Sequence, residues 1–308
     1  MSRVKKKILT LPSSDGVHTL WGSLYEPEGA VRGIVQVIHG MTDYTDRYER
    51  LLVNLAEEGY VAFGFDQLGH GYTAKDPSEL GYIAEKNGWR YLVADIELTS
   101  QYVLSIYGKE VPYVLLGHSM GSFVARCAVA EGIVSPRKMI LVGTATAEPA
   151  APMGIALSRG IARIYGAKHV SHFMQAMVFG DYDKRFPGDY PGRWITVDTG
   201  NLIRYKDDPF CTFRFSVSAI SDLITLHSRS NSMQFFRAVP ADCSILLLSG
   251  SDDPVGNYGK GVKQVEKRLL RYGKKALCKL YQGFRHEILQ DLCRDQVIRD
   301  ILDFINEK

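Results

Sequence analysis

Short apolar runs rich in β-branched side chains punctuate this chain at Gly33–Ile38, Val61–Phe65, Tyr113–Leu116, Met139–Val142 and Ile245–Leu248. They carry too few polar alternations for a sheet face open to water. They therefore read as strands covered on both sides, as in a parallel sheet. Between them lie stretches with apolar residues at helical spacing, Tyr48–Glu58, Trp89–Tyr107 and Gly121–Glu131. This alternation predicts an α/β fold with a mostly parallel central sheet and helices on both faces. The opening segment differs. Lys7–Thr10 and Thr19–Tyr25 are strand-like runs around Pro12-Ser13-Ser14-Asp15-Gly16, which predicts a hairpin.

One interval breaks the rhythm. About a hundred residues separate Val142 from the strand starting at Ser244, whereas a strand–helix–strand crossover needs only ~30. Long insertions in compact domains are usually functional, so residues 146–227 are expected to form a cap over a core made of 1–145 and 228–308. The cap shows apolar residues at helical spacing (Ile155, Leu157, Ile161, Ile164, Tyr165, then Phe173, Met174, Met177, Val178) and a turn-rich middle, Phe186–Gly192. Beyond it the pattern predicts a strand at Ser244–Ser249, a helix at Lys260–Arg271 and a strand at Ala276–Tyr281. A closing helix is expected over Glu287–Asn306, docked through Ile288, Leu292, Ile298, Ile301, Leu302 and Ile305.

Composition narrows the class. With 308 residues, 45% of them hydrophobic and 23% charged, the chain has material for a large core and is no disordered or disulfide-stapled protein. A net charge of +3 is too small to point to nucleic acid. No apolar run approaches the ~18–20 residues a membrane helix needs. Met1–Lys7 resembles the basic start of a signal peptide, but Ile8–Leu11 before Pro12 is too short for its apolar region. Five scattered cysteines, Cys127, Cys211, Cys243, Cys278 and Cys293, form no C-x-x-C pair and read as reduced thiols, so a cytoplasmic protein is expected. The basic stretch from Lys260 to Lys275 reads mainly as a solvated helix face, with transient contact to an anionic membrane surface as the minority alternative.

The sharpest chemical signal is Gly117-His118-Ser119-Met120-Gly121, set between an apolar strand and a helix. A strand that reverses into a helix this tightly brings backbones together, and glycines two before and two after the turn residue remove the clashing Cβ atoms. Ser119 is then presented at the tip, with the free amides of a helix N-terminus beside it to favour negative charge. A serine hydroxyl needs a base, and the expected chain order is serine, acid, histidine. His169, His172 and His227 fall in the cap; His286 alone follows a C-terminal strand. The acid should follow the preceding strand, where Asp252 and Asp253 are adjacent candidates. Asp253 is preferred because Pro254 keeps it out of helical geometry. The two amide donors for a tetrahedral intermediate are expected at Met120, after the nucleophile, and Met41, after His39-Gly40. Asp66-Gln67-Leu68-Gly69-His70-Gly71 reads as a structural loop beside the site. His169-Val170-Ser171-His172 has no third metal ligand at suitable spacing, and no metal is expected.

Together these residues resemble the serine α/β-hydrolases of the monoacylglycerol lipase and lysophospholipase group. Similar members share His39-Gly40-x-x-Asp43 followed by Arg47-Tyr48, the loop Asp66-x-x-Gly69-His70-Gly71, the elbow around Ser119, and Arg285-His286-Glu287. The match spans the chain outside the cap, and Asp253-Pro254-Val255-Gly256 looks like bacterial members. The resemblance implies an α/β-hydrolase fold, a Ser119–Asp253–His286 triad, an oxyanion hole at Met41 and Met120, and no cofactor. The activity it implies is hydrolysis of a monoacyl lipid ester. Gly40, Met153, Leu157, Ile161, Met174 and Met177 are the residues expected to bind substrate, methionines suiting an adaptable alkyl channel; the alternative is that the cap residues form only its own small core. Competing functions are an esterase of aryl or small acyl esters, a proline-specific aminopeptidase (disfavoured, since no acidic cluster in the cap is set to hold an amine) and a non-catalytic receptor.

Overall fold

The computed structural model describes residues 4–180 and 182–307; Met1–Arg3 of the basic start lie outside them. Eight strands form one sheet. A hairpin of β1 (Val4–Pro12) and β2 (Thr19–Pro27) leads to β3 (Gly33–Ile38), β4 (Tyr60–Phe65), β5 (Tyr113–His118), β6 (Lys138–Val142), β7 (Ser244–Gly250) and β8 (Lys275–Tyr281). Their order is β1-β2-β4-β3-β5-β6-β7-β8. The hairpin pairs antiparallel and β2 lies antiparallel to β4, while every pair from β4 to β8 is parallel.

The central strands are buried at every position because both faces are covered. Successive side chains divide between two cores, as a period of two requires. Ile34, Phe63, Leu115, Leu141 and Leu247 join one; Val35, Ala62, Val114, Leu116, Val142 and Leu248 join the other. Helices α1 (Glu49–Glu57) and α10 (Arg294–Asn306) cover the second face. The first is covered by α2 (Trp89–Tyr107), α3 (Met120–Ala130), α7 (Val217–Ser230), α8 (Met233–Ala238) and α9 (Lys260–Arg271).

Between β6 and α7 the chain builds α4 (Ala151–Tyr165), α5 (His172–Phe179) and α6 (Thr199–Asp207) over the carboxyl ends of the parallel strands. The cap boundary expected at His227 falls inside α7, a single helix that packs on α3 beneath it and on α4 above.

The closing helix also departs from the sequence pattern. It begins at Arg294 rather than Glu287, and Leu292 is 68% exposed instead of docked. Residues 287–293 are committed elsewhere. The Glu287 amide donates to Ile195 O at 2.8 Å, and Asp291 accepts from the amides of Val197 and Leu292. Those bonds hold the segment as turns. Among the described residues no helix is long and apolar enough to cross a membrane.

Candidate active site

Strand β5 ends at His118 and α3 starts at Met120, leaving Ser119 alone at the reversal with φ 51° and ψ −119°. A non-glycine residue held at positive φ carries strain of roughly 1–3 kcal/mol, which the surroundings must offset. They do so on both sides. The Ser119 amide donates to Val142 O on β6 at 2.9 Å, and the Ser119 carbonyl accepts from both the amide and the hydroxyl of Ser122. The glycines are equally constrained. A Cβ at Gly117 would strike the Gly121 carbonyl, and one at Gly121 would strike the carbonyls of Ile38 and His39.

His286 lies in the loop after β8, with Nδ1 donating to Asp253 Oδ2 at 2.9 Å. Asp253 is fully buried in the loop after β7. Its Oδ1 accepts from the Val255 amide at 2.9 Å, and Ser249 Oγ lies 3.3 Å from its Oδ2. Asp252 is engaged otherwise, accepting from Ser251 Oγ at 2.8 Å. The structure thus brings Asp253, and not its neighbour, to the histidine. Burial alone would drive the His286 imidazole toward neutrality. The Asp253 carboxylate outweighs that, aided by Glu287 and Asp43, and the His286 pKa rises above its ordinary 6.5. With Nδ1 occupied, Nε2 is the nitrogen left for Ser119, which lines the same cavity as His286.

The loop after β3 closes over the elbow. A Cβ on Gly40 would come within 3.2 Å of Ser119 Cβ, so any larger residue here would push Ser119 or the loop by a few tenths of an ångström. Its shape is fixed by Gln67, whose amide donates to His39 Nε2 at 2.9 Å and whose side chain donates to His39 O at 2.8 Å. That leaves the His39 Nδ1–H to donate to Gly40 O at 2.7 Å. The 66–71 loop is a brace. Asp66 accepts from the amides of Thr45 and Tyr72, and His70, packed edge-on against the stacked rings of Phe213 and Phe215, is pushed by burial down to about 3 and held neutral. Among the described residues no hydrogen bond uses the amides of Met41 or Met120, which flank the elbow.

Above Ser119 opens a cavity of about 1090 Å³ walled by the cap. Gly40, Met153 and Met177 line it, the two methionines standing at its exposed side. Leu157, Ile161 and Met174 do not. Met174 is fully buried in the main core, Ile161 packs against that core, and Leu157 turns outward. Helical periodicity identifies an apolar face but not which of two bodies it meets: α4 spends its inner face, Gly154 and Ser158, on its contact with α7. Phe179 also lines the cavity, and sequence reasoning missed the other rings of its aromatic wall, Phe123, Tyr182, Trp194 and Tyr205, and His227 beside them. Trp194 packs on His286 at 5.1 Å between ring centroids; a lone tryptophan in a turn-rich stretch was the signal available. Among the described residues no group of three His, Cys, Asp or Glu side chains could hold a metal ion.

A serine on this strained turn, with a buried histidine–carboxylate pair at the same cavity, defines an ester-cleaving serine hydrolase on the α/β-hydrolase fold. Residues 29–292 match the family Hydrolase_4, described as serine aminopeptidase, S33, and the chain belongs to that family. It is 25% identical to rat monoglyceride lipase over 96% of this chain and 88% of that one. It also spans 26% of the length of an abhydrolase domain-containing protein of Dictyostelium discoideum, at 23% identity. A thermostable carboxyl esterase of Bacillus coagulans, solved in complex with glycerol, superposes with a TM-score of 0.91 at 28% identity over 98% of both chains. A monoglyceride lipase of Saccharomyces cerevisiae shares the fold at TM-score 0.76 and 20% identity, covering 97% of this chain and 94% of that one.

Proposed function

We propose that this serine hydrolase cleaves monoacyl lipid esters, a monoacylglycerol or a lysophospholipid, through an acyl-enzyme. Ser119 Oγ attacks the ester carbonyl while His286 Nε2 takes its proton, and Asp253 holds the imidazolium by its Nδ1–H. The oxyanion is received by the amides of Met41 and Met120, each such donor contributing about 3 kcal/mol to the transition state. Collapse expels the alcohol with the proton from His286. Water, deprotonated by the same imidazole, then releases the acid and restores Ser119.

The observation that carries the substrate class is the cavity. At about 1090 Å³, with Phe123, Met153, Met177, Val178, Phe179 and Ile224 among its walls, it has room and apolar surface for an alkyl chain. Similarity to rat monoglyceride lipase along nearly the whole chain supports the same reading. The aromatic rings in the wall favour a second substrate, an aryl or hydroxycinnamoyl ester, and the carboxyl esterase neighbour is compatible with it.

A series of p-nitrophenyl or glycerol esters of increasing chain length tests the choice. Each methylene that enters the cavity adds ~0.8 kcal/mol, so kcat/KM should climb by up to about fourfold per carbon until the space is filled. A flat profile, or one peaking at acetate, removes the lipid reading, and preference for a hydroxycinnamate would install the aryl one.

A further inference from the structure

Beside Ser119 and His286, with Asp43, His118 and Glu287 lining the same cavity, lies a buried polar cluster that none of the chemical steps above uses. The Arg47 guanidinium grips Glu287 with two prongs, Nη1 to Oε1 at 2.9 Å and Nη2 to Oε2 at 2.8 Å, and Nη1 also donates to Asp43 Oδ1 at 3.0 Å. The other Asp43 oxygen accepts from Tyr48 Oη at 2.6 Å, and Tyr48 Oη lies 2.8 Å from His118 Nδ1. Asn201 of the cap donates to Glu287 Oε2 at 2.9 Å. All three ionic side chains are nearly out of water. Burying three charges is costly, and their mutual attraction offsets the desolvation only where geometry is good.

The membership of the cluster is informative. Asp43 sits two residues after Met41, His118 is adjacent to Ser119, and Glu287 is adjacent to His286. We infer that Asp43, Arg47 and Glu287 are positioning residues: an acid–base–acid bridge that locks the oxyanion loop, the elbow and the histidine loop to one another, with Asn201 tying in the cap. Small displacements of reacting groups are expensive, about 1 Å costing up to a hundredfold in rate. The bridge also sets charge beside the imidazole. The titratable groups around His286 are Asp253 after β7, His118 at the end of β5, Asp43 and Arg47 after β3, Tyr182 of the cap beside Asp253, and Glu287 on its own loop. Arg47 neutralises the two carboxylates that would otherwise favour a permanently protonated base.

This inference rests on the Ser119–His286 assignment, and two variants assayed on p-nitrophenyl butyrate test it. Glu287→Gln removes a negative charge and frees Arg47 to oppose imidazolium. It should lower kcat about tenfold to a hundredfold, leave KM within about twofold and move the acid limb of the pH profile to lower pH. Arg47→Lys keeps the charge but loses the fork; kcat should fall with the limb unmoved. Variants that melt like the wild type and keep its kcat and pH limb would overturn the positioning role. Should Glu287→Gln fail to fold, Arg47→Lys and Asn201→Ala decide, the latter with a several-fold loss of kcat expected and an unchanged kcat counting against the bridge. Fluorophosphonate labelling of the wild type separates the two failures. An unlabelled Ser119 breaks the triad, whereas a labelled Ser119 with unperturbed variants breaks only the bridge.

Discussion

In the proposed mechanism His286 must be neutral to accept a proton from Ser119, yet the carboxylates around it stabilise its charged form. Because the net shift is upward, activity should fall as pH drops through a value above 6.5, and kcat/KM measured across pH 5 to 9 should show a single acid limb there. A rate flat over that range would remove His286 as the base. The same shift means that the His286–Asp253 pair stabilises the fold at low pH and loses that contribution as pH rises through the raised pKa. Asp253→Asn should cost turnover about four orders of magnitude by losing the tautomer that leaves Nε2 free, while Asp252→Asn, whose carboxylate faces Ser251, should change little. At this scale the placement of the candidate residues was legible in part: Ser119 stood in a patterned turn, and Pro254, next to Asp253, favoured the acid that the structure sets against His286. Arg47 and Glu287 were visible as motif letters, but nothing in their spacing of 240 residues said that they would meet.

Turns, more than helices, decide what the elements can do. The elbow works because backbone presses on backbone at Gly117 and Gly121, where no flexible side chain can yield. Gly121→Ala should therefore destabilise the fold by about 1–3 kcal/mol and abolish fluorophosphonate labelling by moving Ser119; thermal melting and labelling read the two effects separately. The cap is tied unevenly to the core. Its segment 193–201 is bonded to the histidine loop through Arg285 to Arg193 O and Thr196 O, Glu287 to Ile195 O, Val197 to Asp291, and Asn201 to Glu287. By contrast α4 and α5 present Met153, Ile164, Phe173 and Met177 to solvent. Amide hydrogen exchange should accordingly be faster across α4 and α5 than across 193–201. Helical periodicity located α4 correctly and misjudged its inward residues, because period alone carries no information about what lies opposite.

Over the whole molecule, alternating strands and helices announced the sheet, and the break in that rhythm falls where α4–α6 are inserted between β6 and α7. What stayed hidden was the closing helix's late start, since Ile288 and Leu292 keep helical spacing while Glu287 and Asp291 are committed to the cap. Strand order also has no local signature. β6 and β7 are hydrogen-bonded neighbours from Lys138↔Ser244 to Val142↔Leu248, although about a hundred residues intervene. The chain therefore leaves the sheet and rejoins it at adjoining places, and the length of the excursion is almost free: doubling a loop costs only about 0.6 kcal/mol in closure entropy. Within the excursion α7 and α8 belong to the core and 193–201 is bonded to the histidine loop, so α4 and α5 are the parts that can vary with least effect on the ladder. In the proposed site, the sheet fixes the reacting groups and the choice of ester falls to the segments that wall the cavity above them.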